Sequence, residues 1–355
     1  MMPGVIYKLS AMFRGFWENL TGKIAFGVSP MDGITDYAFR KMITSTAKAD
    51  VSFTEFVNTE GLSRGALKML SALQYDTEER PVVAQIYGTE IESFYTVALM
   101  LCFLGFDGID INMGCPMKKI EKRGAGAGLI RTPDHAKLLI NTVKQAIQDF
   151  VNGKELKDAG VRPKLISAIQ KMNPNIKERK PIPVSVKTRI GIDSNIALEW
   201  SKHLLSCDIA HLSLHGRTLQ QLYSGEADWE TIGKVAKLCK KTETSFFGNG
   251  DILSKQQGEE YAKTYGTDGV LIGRAFIGNP WLLRDTPPSL EERIQGAITH
   301  CEIFTKKFPD TPFFVMRKHL SAYTKGFINA KETRVRLMTA NNLEEVKSIL
   351  FSSSF

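Results

Sequence analysis

No stretch of this 355-residue chain approaches the ~18 consecutive apolar residues that a membrane-spanning helix needs, so a membrane role is not expected. Cysteine is scarce. The five present, Cys102, Cys115, Cys207, Cys239 and Cys301, fall at no metal-ligand spacing, and their odd number argues against a disulfide framework. A reducing cytoplasm and no metal centre are the expectation. An early strand followed by G-x-G-x-x-G, the usual sign of an open dinucleotide-binding sheet, is missing as well. Residues Met1–Leu20 mix Lys8, Arg14 and Glu18 with aromatics and carry no small-residue cleavage site. They read as an amphipathic helix lying on the body rather than as a secretion signal.

What is present is an ordinary globular composition, 43% hydrophobic and 24% charged, with a net charge of +8 that is unevenly placed. Residues 151–180 hold eight basic and three acidic side chains, residues 290–355 hold ten and seven, and the remainder balances at 28 of each. A neutral body with two basic attachments suggests a polyanionic partner. A solvated basic surface is the plainer alternative, and charge alone leaves it open.

Short β-rich runs alternate with amphipathic helical stretches. The expected strands are Ile24–Val28, Val51–Thr54, Val82–Ile86, Gly108–Asn112, Val184–Lys187, His211–Leu214, Ser245–Phe247 and Gly269–Ile272. Between them lie helical patterns such as Asp36–Thr46, Ile91–Phe103, Asp134–Phe150, Ile196–Leu205, Trp229–Cys239 and Lys255–Tyr265. Eight such alternations predict an α/β fold, a parallel (β/α)8 TIM barrel, with an open doubly wound sheet as runner-up. After a linker at Arg284–Ser289 with Pro287-Pro288, only helical signals remain: Leu290–Phe308, Phe314–Lys325 and Leu343–Phe351. The predicted organisation is an N-terminal extension over 1–20, a barrel over 21–286 with a polar, basic insertion at 151–180, and a small C-terminal α-helical domain over 290–355.

In a parallel barrel every strand's C-terminal end opens on one face, which carries the chemistry. Read in order, those ends supply Ser29-Pro30-Met31-Asp32, Glu55, Gln85, Asn112 with Cys115, Lys187 with Arg189, His215 with Arg217, Asn249-Gly250-Asp251 and Gly273-Arg274. The stretch Ile109-Asp110-Ile111-Asn112-Met113-Gly114-Cys115-Pro116-Met117 puts a single thiol at a strand end, a place for an acid, base or nucleophile. Free cysteine is otherwise a small buried filler. The glycine turns after the seventh and eighth strands, with Arg274, are where barrels often bind phosphate. Lys187 points a cation into the rim, as a reduced flavin's pyrimidine side needs. Gln85 offers donor and acceptor to a ring edge, Met31 a polarisable thioether, and His215 a ring contact, a phosphate donor or an acid.

Taken together these residues resemble the tRNA-dihydrouridine synthase family. The likeness runs through Ser29-Pro30-Met31-Asp32-Gly33-Ile34-Thr35-Asp36 with Phe39-Arg40, Ala84-Gln85-Ile86-Tyr87-Gly88, and the hallmark Asp110-Ile111-Asn112-Met113-Gly114-Cys115-Pro116. It continues in Val186-Lys187-Thr188-Arg189-Ile190-Gly191, Leu214-His215-Gly216-Arg217-Thr218, Gly248-Asn249-Gly250-Asp251 and Ile272-Gly273-Arg274. Met316-Arg317-Lys318-His319-Leu320 with Tyr323-Thr324-Lys325-Gly326 is similar to the family's helical RNA-binding part.

The resemblance implies FMN in the barrel mouth, reduced by NADPH, that hands hydride to carbon 6 of a uracil in tRNA while Cys115 protonates carbon 5. It implies a flavin lined by Pro30, Met31, Asp32, Gln85, Lys187, His215, Asn249, Gly250, Asp251, Gly273 and Arg274. Asn112 is then expected at the uracil edge, with Lys118, Lys119, Arg123, Arg189, Arg217, Arg317 and Lys318 at the RNA, and the protein is expected to be a monomer. Two rivals remain. One is another flavin barrel enzyme acting on a free base, such as a dihydroorotate- or dihydropyrimidine-type oxidoreductase. The other is an RNA-binding protein whose barrel only stabilises tRNA.

Overall fold

The computed structural model describes residues 14–174 and 178–352. Eight parallel strands close on themselves in sequence order: β1 (Ala25–Val28), β2 (Val51–Asn58), β3 (Val82–Tyr87), β4 (Gly108–Met113), β5 (Val184–Arg189), β6 (His211–His215), β7 (Ser245–Asn249) and β8 (Gly269–Ile272). β8 pairs with β1 from Ala25 opposite Gly269 to Val28 opposite Ile272, which leaves no free edge. Six helices alternate with the strands: α1 (Tyr37–Ala47), α2 (Ile91–Leu104), α3 (Pro133–Val151), then α5 (Ala197–Leu205), α6 (Trp229–Cys239) and α7 (Lys255–Tyr265); an additional helix, α4 (Pro163–Met172), precedes β5. Asp36 starts α1 because its carboxylate accepts the Phe39 N–H at 2.9 Å, satisfying a donor the first turn leaves unpaired.

The barrel's lower end is closed by the chain that precedes β1. Gly15–Leu20 makes a single 3-10 turn that places Trp17 flat on His211, 3.7 Å between ring centres, and edge-on to Phe247. The amphipathic helix expected over Met1–Leu20 is replaced, in its described part, by this plug; Met1–Phe13 lie outside the described residues. The described part of the 151–180 segment packs on the barrel's helices. α4 buries Leu165 and Ile169 and packs on α2. Arg179 lies over the Phe103 and Phe150 rings and donates to the Phe150 and Lys154 carbonyls. Lys157, Arg162, Lys164 and Lys171 remain on the solvent side.

Beyond β8 come α8 (Leu290–Lys307), α9 (Arg317–Tyr323), α10 (Ala330–Leu337) and α11 (Leu343–Ser352). Ser289 and Glu292 form a reciprocal cap at the start of α8. The helix expected over Phe314–Lys325 divides into a 3-10 turn, Phe313–Met316, and α9. α10 was not foreseen, because only Thr333 and Leu337 of its eight residues are buried and it offers no apolar stripe. The helical region shares its core with the barrel: Ala38 of α1 and Trp281 pack among Ile294, Ile298, Leu320 and Tyr323.

At this junction His300 and His319 sit 4.9 Å apart beside Phe39. His300 Nδ1 meets the Tyr323 hydroxyl at 3.2 Å, while His300 Nε2 and both His319 nitrogens are buried without a partner. Burial holds both rings neutral, taking His300 down to about 3 and His319 well below the ordinary value. The unfolded chain protonates these rings below ~6.5. Stability is therefore complete above that pH and falls as the pH drops from there toward the folded values, by about 1.4 kcal/mol per pH unit for each ring. Denaturant titrations between pH 7 and 5 should show this loss, and His319→Leu should make the slope shallower by one histidine's share. An unchanged slope would contradict the assignment.

Candidate active site at the barrel mouth

The site is assembled from strand ends. On β4, side chains two apart share a face, so Asp110 and Asn112 both turn inward. Asp110 is fully buried and accepts from Ser185 Oγ of β5 at 2.6 Å and from Gln85 Nε2 of β3 at 2.7 Å. Gln85 Oε1 in turn accepts from Asn112 Nδ2 at 2.9 Å. Asn112 Oδ1 then accepts the Gly114 and Cys115 N–H groups at 3.0 and 2.8 Å. One continuous relay from β5 to the Gly-Cys-Pro turn therefore fixes where the thiol stands. Burial raises the Asp110 carboxyl to about 6, against the bonds from Ser185 and Gln85 and the pull of Lys187.

Cys115 is 6% exposed, packed with Ile120 and Ala125 and bordered by Phe56 and Tyr87. Burial pushes its thiol above the ordinary range, opposed by the Met117 N–H, Arg189 and Lys187. The shift favours the protonated thiol. Gly126 makes the close turn beneath it possible, since φ is +58° and a Cβ there would lie 3.0 Å from the Cys115 Cβ. Arg189 steadies the same turn by donating Nε to the Gly114 carbonyl at 2.8 Å and Nη1 to the Thr218 and Leu222 carbonyls.

On the adjacent strand, in register with Asn112, Lys187 donates to Asn249 Oδ1 at 3.0 Å, and Asn249 donates to the Leu271 carbonyl at 2.8 Å. Burial and the Arg189 charge bring the Lys187 ammonium down to about 8. His215 is 8% exposed and kept neutral by burial and by the surrounding cations Lys187, Arg189, Arg217 and Arg274. Gly250 adopts φ +133°, and a Cβ there would collide with Ala227 at 2.5 Å and crowd His215. A Cβ on Gly273 would approach Met31 Sδ to 3.1 Å. Asp251 is a charge hub: it pairs with Arg217 at 2.6 Å and Arg274 at 3.2 Å, and the Arg274 guanidinium lies 4.8 Å above the Tyr223 ring.

Several expected site residues have internal partners. Arg217, buried, donates to the Ser224 and Gly225 carbonyls besides Asp251. Arg317 ties the α10–α11 turn through the Thr339 and Ala340 carbonyls and Asn341. Lys318 donates to the Gly33 carbonyl of the Pro30–Asp36 loop, of which Pro30, Met31 and Asp32 form the first half. Lys118, Lys119 and Arg123 are exposed on the short helical turn after Cys115. Lys119 and Arg123 border an opening of about 760 Å³ that also meets Asp32, Tyr87, Met117 and Ala125, so this opening adjoins the thiol's turn. A smaller opening of about 490 Å³ lies at the opposite end of the barrel beneath Arg14. Glu55, expected at a strand end, lies within β2, which continues to Asn58. It accepts the Gly33 N–H at 2.6 Å and is raised to about 7 by burial and by Asp36 and Asp32. Asp110 and Ser185 were given no role; their two-residue alternation with Asn112 and Lys187 was the available signal.

Among the described residues no three His, Cys, Asp or Glu side chains group as a metal site, and no helix is long and apolar enough to cross a membrane. The family model described as Dihydrouridine synthase (Dus) matches residues 27–154 and 162–353, interrupted inside the 151–180 segment. A protein of Staphylococcus aureus (strain MRSA252), named "Probable tRNA-dihydrouridine synthase", is 33% identical over 96% of this chain and 95% of its own length. The Bacillus subtilis (strain 168) protein named "Probable tRNA-dihydrouridine synthase 2" is 32% identical over 96% of both chains. A solved dihydroorotate dehydrogenase of Eimeria tenella, in complex with ferulenol, aligns at a TM-score of 0.38 and 12% identity over 70% of this chain and 64% of its own. That last likeness is too slight to bear on function. With the family model spanning the barrel and the helices beyond it, the chain belongs to the dihydrouridine synthase family.

Proposed function

We propose that this chain is an FMN-dependent tRNA-dihydrouridine synthase that uses NADPH as reductant, works in the cytoplasm and acts as a monomer. The donor set at the mouth suits the cofactor. Lys187 has one protein acceptor at 3.0 Å and donors left for a ring carbonyl. Met31 and the neutral His215 would offer contacts to a flat ring, while Gln85, fully buried, acts through its bonds to Asp110 and Asn112. The bare backbones at Gly250 and Gly273, with Asn249, Asp251 and Arg274 beside them, suit its phosphate arm. Bound there, the reduced cofactor would supply the hydride for carbon 6 of a uracil.

The chain's own part begins with substrate access. A base stacked inside a folded tRNA has to be drawn out before it can enter the mouth. Lys118, Lys119 and Arg123 would hold the RNA backbone at the rim, with the 290–355 region as a second RNA surface. Asn112, whose carbonyl is committed to the turn, keeps one amide proton for the uracil edge. Cys115 then gives its thiol proton to carbon 5, and the thiolate is reloaded from water. The observation that carries this reading is the relay from Asp110 to Asn112 that anchors a buried thiol at a strand end, with Lys187 on the neighbouring strand.

Purified protein given FMN, NADPH and tRNA from cells lacking dihydrouridine should form dihydrouridine with NADPH oxidation that depends on tRNA. Turnover of free uracil or orotate without tRNA would favour the free-base rival. A colourless protein that refuses FMN would favour the RNA-binding one.

A further inference from the structure

The Pro30–Asp36 loop borders the mouth, and besides the Arg40 bond to the Thr35 carbonyl it is gripped on both sides of Gly33. The Gly33 N–H donates to Glu55 Oε1 of β2 at 2.6 Å, and the Gly33 carbonyl accepts from Lys318 Nζ of α9. Gly33 has φ +69°, and a Cβ there would lie 3.4 Å from the Lys318 ammonium, so glycine suits both the backbone and the contact. The surroundings favour a cation: Asp32 and Asp36 on the loop are both attracted by Lys318, and Glu55 lies beneath them. α9 itself has little freedom. Arg317 is bonded to the Ala340 carbonyl at 3.0 Å, and His319 is packed against Phe39 of α1. Lys318 thus reaches the loop from an element seated in the helical region, while Glu55 reaches it from the barrel.

We infer that Lys318, the Gly33 backbone and Glu55 form a strut through which the helical region sets the position of the Pro30–Asp36 loop, making Lys318 a positioning residue for the reaction rather than a phosphate contact. The inference rests on the proposed reading of the mouth as the catalytic site. Its physical content is simple. Gly33 is held by one acceptor and one donor, through the two peptide groups that flank its Cα. Loss of either lets the loop relax, and RNA seated on the helical region is then no longer registered against the mouth.

The test compares the parent holoenzyme with Lys318→Met, Lys318→Arg, Glu55→Leu and the Met/Leu double variant. Lys318→Met is expected to lower kcat on tRNA about 10-fold, with KM changed less than about 2-fold, because misplacement rather than affinity is affected. Lys318→Arg should recover part of the loss. The double variant should be no worse than the worse single one, since both act on the same residue of the loop. Independently of activity, amide hydrogen exchange over residues 30–36 should speed up in Lys318→Met.

A rise in KM at constant kcat, with the salt dependence of tRNA binding reduced by about one contact, would make Lys318 a phosphate ligand and overturn the strut. Additive losses, or unchanged exchange over 30–36, would overturn it too. An inactive parent chain would instead reject the proposed reaction, and the exchange measurement would still decide whether the strut exists.

Discussion

Cys115→Ala is expected to bind FMN and accept reducing equivalents from NADPH like the parent chain, yet to form dihydrouridine at least about 100-fold more slowly. The substitution keeps the Cβ and the apolar contacts with Ile120 and Ala125, and it leaves the Asn112 bonds to the turn untouched, since these go to backbone N–H groups. Only the proton donor disappears. The pH profile sharpens the test. The thiol is raised by burial, so its acid form persists beyond the ordinary thiol range near ~8.5, and the parent rate should fall only as pH rises through that higher value. The alanine variant should lack this alkaline limb. Single-turnover mixing of reduced enzyme with unmodified tRNA measures both quantities, and an undiminished rate would remove Cys115 from the chemistry.

Arg40→Met should cost about 3–5 kcal/mol of stability. Arg40 and Glu79 are both fully enclosed, with Nε 2.8 Å from Glu79 Oε2. The remaining guanidinium nitrogens donate to the Thr35 and Gln74 carbonyls, and Glu79 Oε1 accepts the Asp76 N–H. Removing the arginine leaves a carboxylate and two carbonyls buried with too few donors. Arg40→Met with Glu79→Met removes both charges and should regain part of the loss, because unpaired buried charge is the dominant penalty. Denaturant midpoints at constant m would read the difference. Equal midpoints for parent and Arg40→Met would mean that the pair contributes nothing. Thr35 belongs to the mouth's first loop, so the single variant should also bind FMN less tightly.

The barrel was legible because its eight strands are short apolar runs that each end in a polar group, and the strand starts differ from the sequence reading at β1 alone. Helices with an apolar stripe were equally clear. α10 and α4 were not, for opposite reasons: α10 buries almost nothing, and α4 hides two apolar residues inside a strongly basic stretch. At the mouth, residue type and rim position could be read, but partners could not. Arg217, Arg317 and Lys318 are basic residues in the motifs of an RNA enzyme, and only packing reveals that each has a carbonyl acceptor, from a nearby loop for Arg217 and from a more distant part of the chain for Arg317 and Lys318. Glu55 and Asp110 show the converse, since a carboxylate's role depends on which amide it meets.

Trp17 has a consequence for how the molecule comes into being. Its seat is made by His211 and Phe247, about two hundred residues later, so the stopper emerges from the ribosome long before its socket exists. Ring closure also needs β8 to reach back to β1. Assembly of the lower end is therefore a late event, governed by long-range chain closure, and Trp17 emission should report the last step of refolding rather than the first.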